Sequence, residues 1–170
     1  MQKLNQQEKT ALEKIAVQNR KNVLRLMKAG RMGHIGGALS AIDIMTVLYF
    51  KIMRVDPQNP DWPQRDRFVL SAGHKCLALY ATLAEKGFFS HEILDTYGAL
   101  GSNLGGHPDM HKVPGVETNT GALGHGLSIA GGMAMGLKMD SLDAKVYVIM
   151  GDGELAEGSN WEAAAAASHH

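Results

Sequence analysis

The chain has 170 residues, with 17 basic and 17 acidic side chains, a formal net charge of zero and 20% charged residues. This balance excludes a nucleic-acid protein built on bulk positive charge, and it excludes a charge-rich disordered tail. At 45% hydrophobic, the length suffices for one full core but not comfortably for two, so one domain or part of one is expected.

From Asn5 to Ala29 the residues Leu12, Ile15, Ala16, Val23, Leu26 and Met27 recur at helical spacing, which predicts an amphipathic helix with Gly30 as its stop. Met1 to Arg31 carry eight basic and two acidic groups but no apolar stretch, so they read as a solvated helix face, not a signal peptide. Ser40 with Asp43 three residues on resembles a capping box and predicts a second helix to Ile52. Its apolar residues lie nearly all round, so burial is expected. Beyond Pro57, Pro60 and Pro63, the run Arg67-Phe68-Val69-Leu70 predicts a buried strand ending in Ser71-Ala72-Gly73-His74. Lys75 to Lys86 reads as a helix closed by Gly87, and Ser90 as the cap of a short helix to Tyr97.

Gly98 to Thr120 is rich in Gly, His, Pro and Asn and has no sustained period, as in functional or disordered loops. Ala122 to Lys138 predicts a helix whose Gly124, Ser128, Gly132 and Gly136 lie four apart, a smooth stripe suited to close packing. The 16-residue apolar run inside it, Ala122 to Leu137, falls short of the about 20 residues of a bilayer span, so no membrane contact is expected. Lys145 to Met150 is the clearest strand, followed directly by Gly151-Asp152-Gly153-Glu154, and a last helix opens near Ser159. Strands alternating with helices predict an α/β fold: a parallel sheet with helices on both faces.

Glycine is the compositional outlier: there are 20, and fourteen fall between Gly98 and Gly158. Such clustering marks backbone that turns sharply or approaches something closely. In open parallel sheets ligands bind beyond the carboxyl ends of strands, where this chain places His74 and Asp152. An aspartate between glycines can coordinate a hard cation while neighbouring amides approach phosphate oxygens. His34, His74 and His107 each follow a glycine in a predicted loop, and imidazoles there can hold oxygens or shuttle protons near neutral pH. Each feature has a plain alternative, a turn aspartate or a surface histidine. A zinc pair at His107 and His111 is disfavoured by Pro108. Cys76, the single cysteine, cannot form an internal disulfide, which points to a reducing, cytoplasmic setting. It reads as a buried helix residue in preference to a nucleophile.

Gly33-His34-Ile35-Gly36-Gly37, Leu70-Ser71-Ala72-Gly73-His74, Gly105-Gly106-His107-Pro108, Thr120 to Gly126 and Gly151 to Glu154 occur in the order found in transketolases. Over nearly its whole length the chain resembles the amino-terminal part of their diphosphate-binding domain, and in particular the separate amino-terminal subunit of split transketolases. The resemblance implies a thiamine diphosphate-binding fold, incomplete at the carboxyl end, over residues 1–170 with no second domain. It implies Asp152 as ligand of a Mg²⁺ or Ca²⁺ that bridges the diphosphate of thiamine diphosphate, and Gly153 as an amide donor to that group. His74 would touch diphosphate and substrate, while Gly121, Ala122 and Leu123 would line the cofactor. His34 and His107 would hold the oxygens of the donor sugar and steer protons, and Glu157 would sit at the subunit interface that links two cofactor sites.

The implied reaction moves a two-carbon ketol from a ketose to an aldose, on sugars or sugar phosphates, as in the pentose phosphate pathway. The implied partner is a carboxyl-terminal subunit with the pyrimidine-binding domain, in a homodimer or heterotetramer. His125 stands where many members have glutamine and Ile35 where many have proline. The chain ends 18 residues after Asp152, ahead of the family's metal-binding asparagine and a further histidine, so inactivity in isolation is expected. Two alternatives remain: another thiamine diphosphate enzyme, of deoxyxylulose phosphate synthase or dihydroxyacetone synthase type, or a non-catalytic assembly module.

Overall fold

The computed structural model describes residues 3–170; Met1 and Gln2, which open the basic segment, lie outside the described residues. Helix α1, Gln6–Gly30, begins at a complete capping box, in which Asn5 accepts from the Glu8 amide and the Glu8 carboxylate accepts from the Asn5 amide. The helix ends at Arg31 in the left-handed region, with φ 52°, so Gly30 is not the stop the sequence predicts. A Cβ at Gly30 would lie 2.5 Å from a ring carbon of Tyr97, so that glycine is there for close packing.

Helix α2, Ile35–Val47, continues into a π turn, Leu48–Ile52. It starts five residues before the expected Ser40 cap, and the Ser40 hydroxyl instead donates to the Gly37 carbonyl. The expected burial all round holds for one face only. Ala38, Ala41, Ile42, Met45 and Tyr49 are buried, whereas Ile35 and Ile44 are exposed. The segment Ile35–Ile52 is, by length and composition alone, apolar enough to cross a membrane. Here its inner face packs against α1 and α3, and Asp43 in its middle pairs with Arg20 at 2.7 Å.

Strand β1, Arg67–Leu70, leads through a 3-10 turn, Gly73–Lys75, into α3, Cys76–Lys86. Every residue of α3 from Cys76 to Ala84 is buried, which makes it the central core helix. Burial of side chains such as Leu77 and Leu83 contributes roughly 2 kcal/mol each relative to exposure. Gly87 closes α3 at φ 98°, the left-handed cap that glycine adopts without steric cost. A 3-10 helix, His91–Thr96, then leads into the long irregular segment.

Helix α4, Gly126–Met139, begins four residues later than the expected Ala122. Gly121 and Gly124 have positive φ, 154° and 80°, so 121–125 forms a loop, and Gly124 is not part of the helical stripe. Ser128, Gly132 and Gly136 do not form the close-packed stripe within this chain: a Cβ at Gly132 or Gly136 would meet nothing within 4 Å. Strand β2, Val146–Ile149, pairs parallel with β1 in the register Arg67↔Val146 to Leu70↔Ile149, giving a two-stranded sheet. All four β2 residues are only half-buried. Helix α5, Gly158–His169, packs on α4. The buried Asp66 fastens the entrance to both strands by accepting from the Arg54 amide at 2.9 Å and the Lys145 amide at 2.8 Å. Burial pushes its carboxyl upward, but these amides and the Arg54 guanidinium outweigh that and hold it below the usual carboxylate range.

Candidate active site

The parallel pairing of β1 and β2 brings their carboxyl ends together, with Ser71 after one and Gly151 after the other. Glu154, in the 3-10 helix Gly153–Ala156, is buried between them. One carboxylate oxygen accepts from the Ser71 hydroxyl and from the Gly124 amide at 2.9 Å; the other accepts from the Gly151 amide at 2.9 Å. Ser71 in turn accepts from the Gly126 amide at 3.1 Å. Asn160 donates to the Glu154 carbonyl at 2.7 Å, and Ser159 to the Gly124 carbonyl at 2.7 Å. A single buried carboxylate thus ties together both strand ends and the loop ahead of α4. A buried charge is tolerated when its lone pairs are met in this way.

Three predicted histidines gather at this edge. The rings of His34 and His74 stand edge to face, with centroids 5.0 Å apart. His34 leads into α2, and His74 lies in the turn ahead of α3. His107 arrives from the long loop, whose backbone α3 pins: the Tyr80 hydroxyl lies 3.0 Å from the Gly105 carbonyl and 2.9 Å from that of His107, and the Cys76 thiol donates to Gly106 at 3.1 Å. The His107 ring packs on Gly121, where a Cβ would lie 2.9 Å from it. Burial lowers the His74 imidazole below the ordinary range, and the nearby charges of His34, Lys75 and His107 lower it further, against a smaller opposing effect of Glu154. His74 is therefore held neutral near pH 7, able to donate from one nitrogen and accept at the other. Burial pushes the Cys76 thiol up to about 11, the state of a structural cysteine and not of a nucleophile.

The Thr120 to Leu123 segment docks on the β1–α3 turn because Gly73 lacks a side chain; a Cβ there would lie 2.6 Å from the Thr120 carbonyl. Gly121 and Ala122 line an open cleft of about 290 Å³ with Thr120, His125, Gly126 and Ile129, and none of the three histidines lines it. Leu123 accepts at its carbonyl from the His125 ring at 3.0 Å. Asp152 is exposed, and its carboxylate caps nothing. Gly153 beside it has open space where a Cβ would be. Among the described residues no group of three or more His, Cys, Asp or Glu forms a metal cage. One free carboxylate with open backbone beside it fits a hard cation completed by phosphate oxygens. Glu157 precedes α5, is exposed, and packs its stem against Gly124. The sequence signals Ser71 and Glu154 only as members of motifs, without a role, and it does not signal Asn160.

Comparison with known proteins identifies the family. The chain matches the family described as "Transketolase, thiamine diphosphate binding domain" over residues 13–170, and it belongs to that family. It is similar to an apulose-4-phosphate transketolase subunit of Phocaeicola vulgatus, with 54% identity over 94% of this chain and 56% of that protein. It is also similar to the 6-deoxy-6-sulfo-D-fructose transketolase subunit SqwG of Clostridium sp., with 48% identity over 89% of this chain and 57% of that protein. The crystal structure of transketolase from Campylobacter jejuni superposes with a TM-score of 0.85 at 35% identity, covering 94% of this chain and 26% of that one. The fold is that of the amino-terminal transketolase domain, and relatives named as single transketolase subunits fit an amino-terminal subunit of a split transketolase. The chain spans about half the length of these subunit relatives.

Proposed function

We propose that the chain supplies the diphosphate-binding half of an enzyme that moves a two-carbon ketol unit from a ketose to an aldose, with thiamine diphosphate and Mg²⁺ or Ca²⁺. The observation that carries this is the meeting of His34, His74 and His107 at the strand ends that also carry the free Asp152 carboxylate. Asp152 would hold the cation, the Gly153 amide would face the diphosphate, and Gly121, Ala122 and Leu123 would line the ring system. When bound, thiamine diphosphate supplies the carbanion and electron sink for carbon–carbon cleavage.

This chain's own residues do the rest. His74, neutral and partly desolvated, would both contact the diphosphate and accept or return a proton at a substrate hydroxyl. His34 and His107 hold the hydroxyl and carbonyl oxygens of the donor sugar, and donors fixed in this way stabilise charge that develops on oxygen. Activity requires a second chain that carries the pyrimidine-binding domain, and the isolated chain does not turn over. Glu157 and the Ser128, Gly132 and Gly136 stripe would face partner subunits. The relatives named for apulose 4-phosphate and for a sulfo-sugar support a ketose with an anionic far end. The test is ketol transfer by the chain reconstituted with a pyrimidine-binding subunit: transfer from a ketose phosphate that is lost in Asp152→Ala supports the assignment. Turnover of pyruvate in place of ketoses would move the enzyme to the deoxyxylulose phosphate synthase type.

A further inference from the structure

Lys75 carries a charge at this edge that the fold does not use. Its stem packs on Gly37 in the first turn of α2, where a Cβ would lie 3.4 Å from Lys75 Cγ and 3.5 Å from Cε. Its ammonium reaches across to 3.7 Å from the Cβ position of Gly151, the residue that precedes Asp152. The side chain is half-buried, yet among the described residues no carboxylate lies within ion-pair distance of it. Glu154, the buried acid of this edge, already accepts from a hydroxyl and two amides. Lys75 and His74 also stand at the start of α3 with no acidic residue in its first turn, where a cation is disfavoured unless an anion is near.

We propose that Lys75 is a ligand of the diphosphate anion, its ammonium binding phosphate oxygens at the end of β2 beside the metal. The inference rests on the function proposed above, which assigns no role to this residue. A divalent cation loses one of its two charges to Asp152, so the metal alone leaves the diphosphate anion strongly negative. An ammonium a few ångströms from the Gly151–Gly153 turn offsets part of that remainder. A lysine suits the task as a compact charge with three donors on a stem held by its neighbours.

Calorimetric titration of the 170-residue chain with Mg²⁺ pyrophosphate and with Mg²⁺ thiamine diphosphate, at one ionic strength, tests this. Lys75→Met keeps the stem on Gly37 and removes the charge; it is expected to weaken both ligands about tenfold or more while far-UV circular dichroism and melting temperature stay those of the parent. Lys75→Arg is expected to restore binding. A Lys75→Met chain with parental affinity for both ligands, alongside an Asp152→Ala chain that loses them, overturns the role of the lysine and leaves the proposed function standing. Loss in Lys75→Met with full retention in Asp152→Ala supports the lysine and overturns the metal assignment. A parent chain that binds neither ligand overturns both.

Discussion

The Ser71 hydroxyl donates to the buried carboxylate of Glu154, joining the ends of two strands from residues 83 apart in the chain. Because the same carboxylate also accepts from the Gly124 and Gly151 amides, it has no use for a donor of its own. Glu154→Gln would turn an N–H toward an N–H and leave an amide unpaired. The expected loss is about 3 kcal/mol in urea unfolding, against about 1 kcal/mol for Ser71→Ala. Equal stability of Glu154→Gln and the parent would show that this contact does not hold the site together.

Gly73 permits the Thr120 loop to touch the β1–α3 turn through backbone. Gly73→Ala places a methyl 2.6 Å from the Thr120 carbonyl, and backbone cannot step aside as a flexible side chain can. Destabilisation of about 2 kcal/mol is expected, with hydrogen exchange rising first in 119–125. Gly132→Ala is the internal control: its Cβ meets nothing within 4 Å, so in the isolated chain the fold is expected to tolerate it.

The lowered pKa of His74 has a fixed sign of consequence. Burial is its largest cause, followed by the charge of His34, so the folded chain binds fewer protons at this site than the unfolded one. Folding stability then falls as pH drops through the free imidazole value of about 6.5 toward the folded value, and the site adds no pH dependence above that window. His34→Asn is expected to raise the His74 midpoint measured by NMR titration without returning it fully to the free value, since burial remains. A midpoint unmoved by His34→Asn would mean that the two rings do not share an electrostatic environment.

Much of this was legible in the sequence because it depends on local spacing. The strands β1 and β2, the Asn5 to Ala29 helix and the Gly-His and Gly-Asp-Gly turns all carry their signal within a few residues. The misread points are those where a distant partner decides. Gly30 reads as a helix stop, but Tyr97 across the core explains it. Ser40 reads as a cap, but α2 starts at Ile35, ahead of two glycines that propensity alone would place in a loop. Glu154 has no role legible in the sequence because two of its three donors come from other segments of the chain.

Asp152 presents the opposite case from Glu154, since its carboxylate is exposed and makes no cap hydrogen bond. Asp152→Ala is expected to change stability by less than about 0.5 kcal/mol, as surface substitutions do, while abolishing the Mg²⁺-dependent binding of thiamine diphosphate. Loss of fold in this variant would assign the residue a structural role instead.

The claim that the carboxyl ends of β1 and β2 form a thiamine diphosphate site is tested most directly by amide chemical-shift mapping of the chain with Mg²⁺ and thiamine diphosphate. Shifts are expected to concentrate at His74, Lys75, Gly121 to Leu123 and Gly151 to Gly153, and to be absent without Mg²⁺. Shifts confined to other surfaces, or a spectrum unchanged at saturating cofactor, would contradict it.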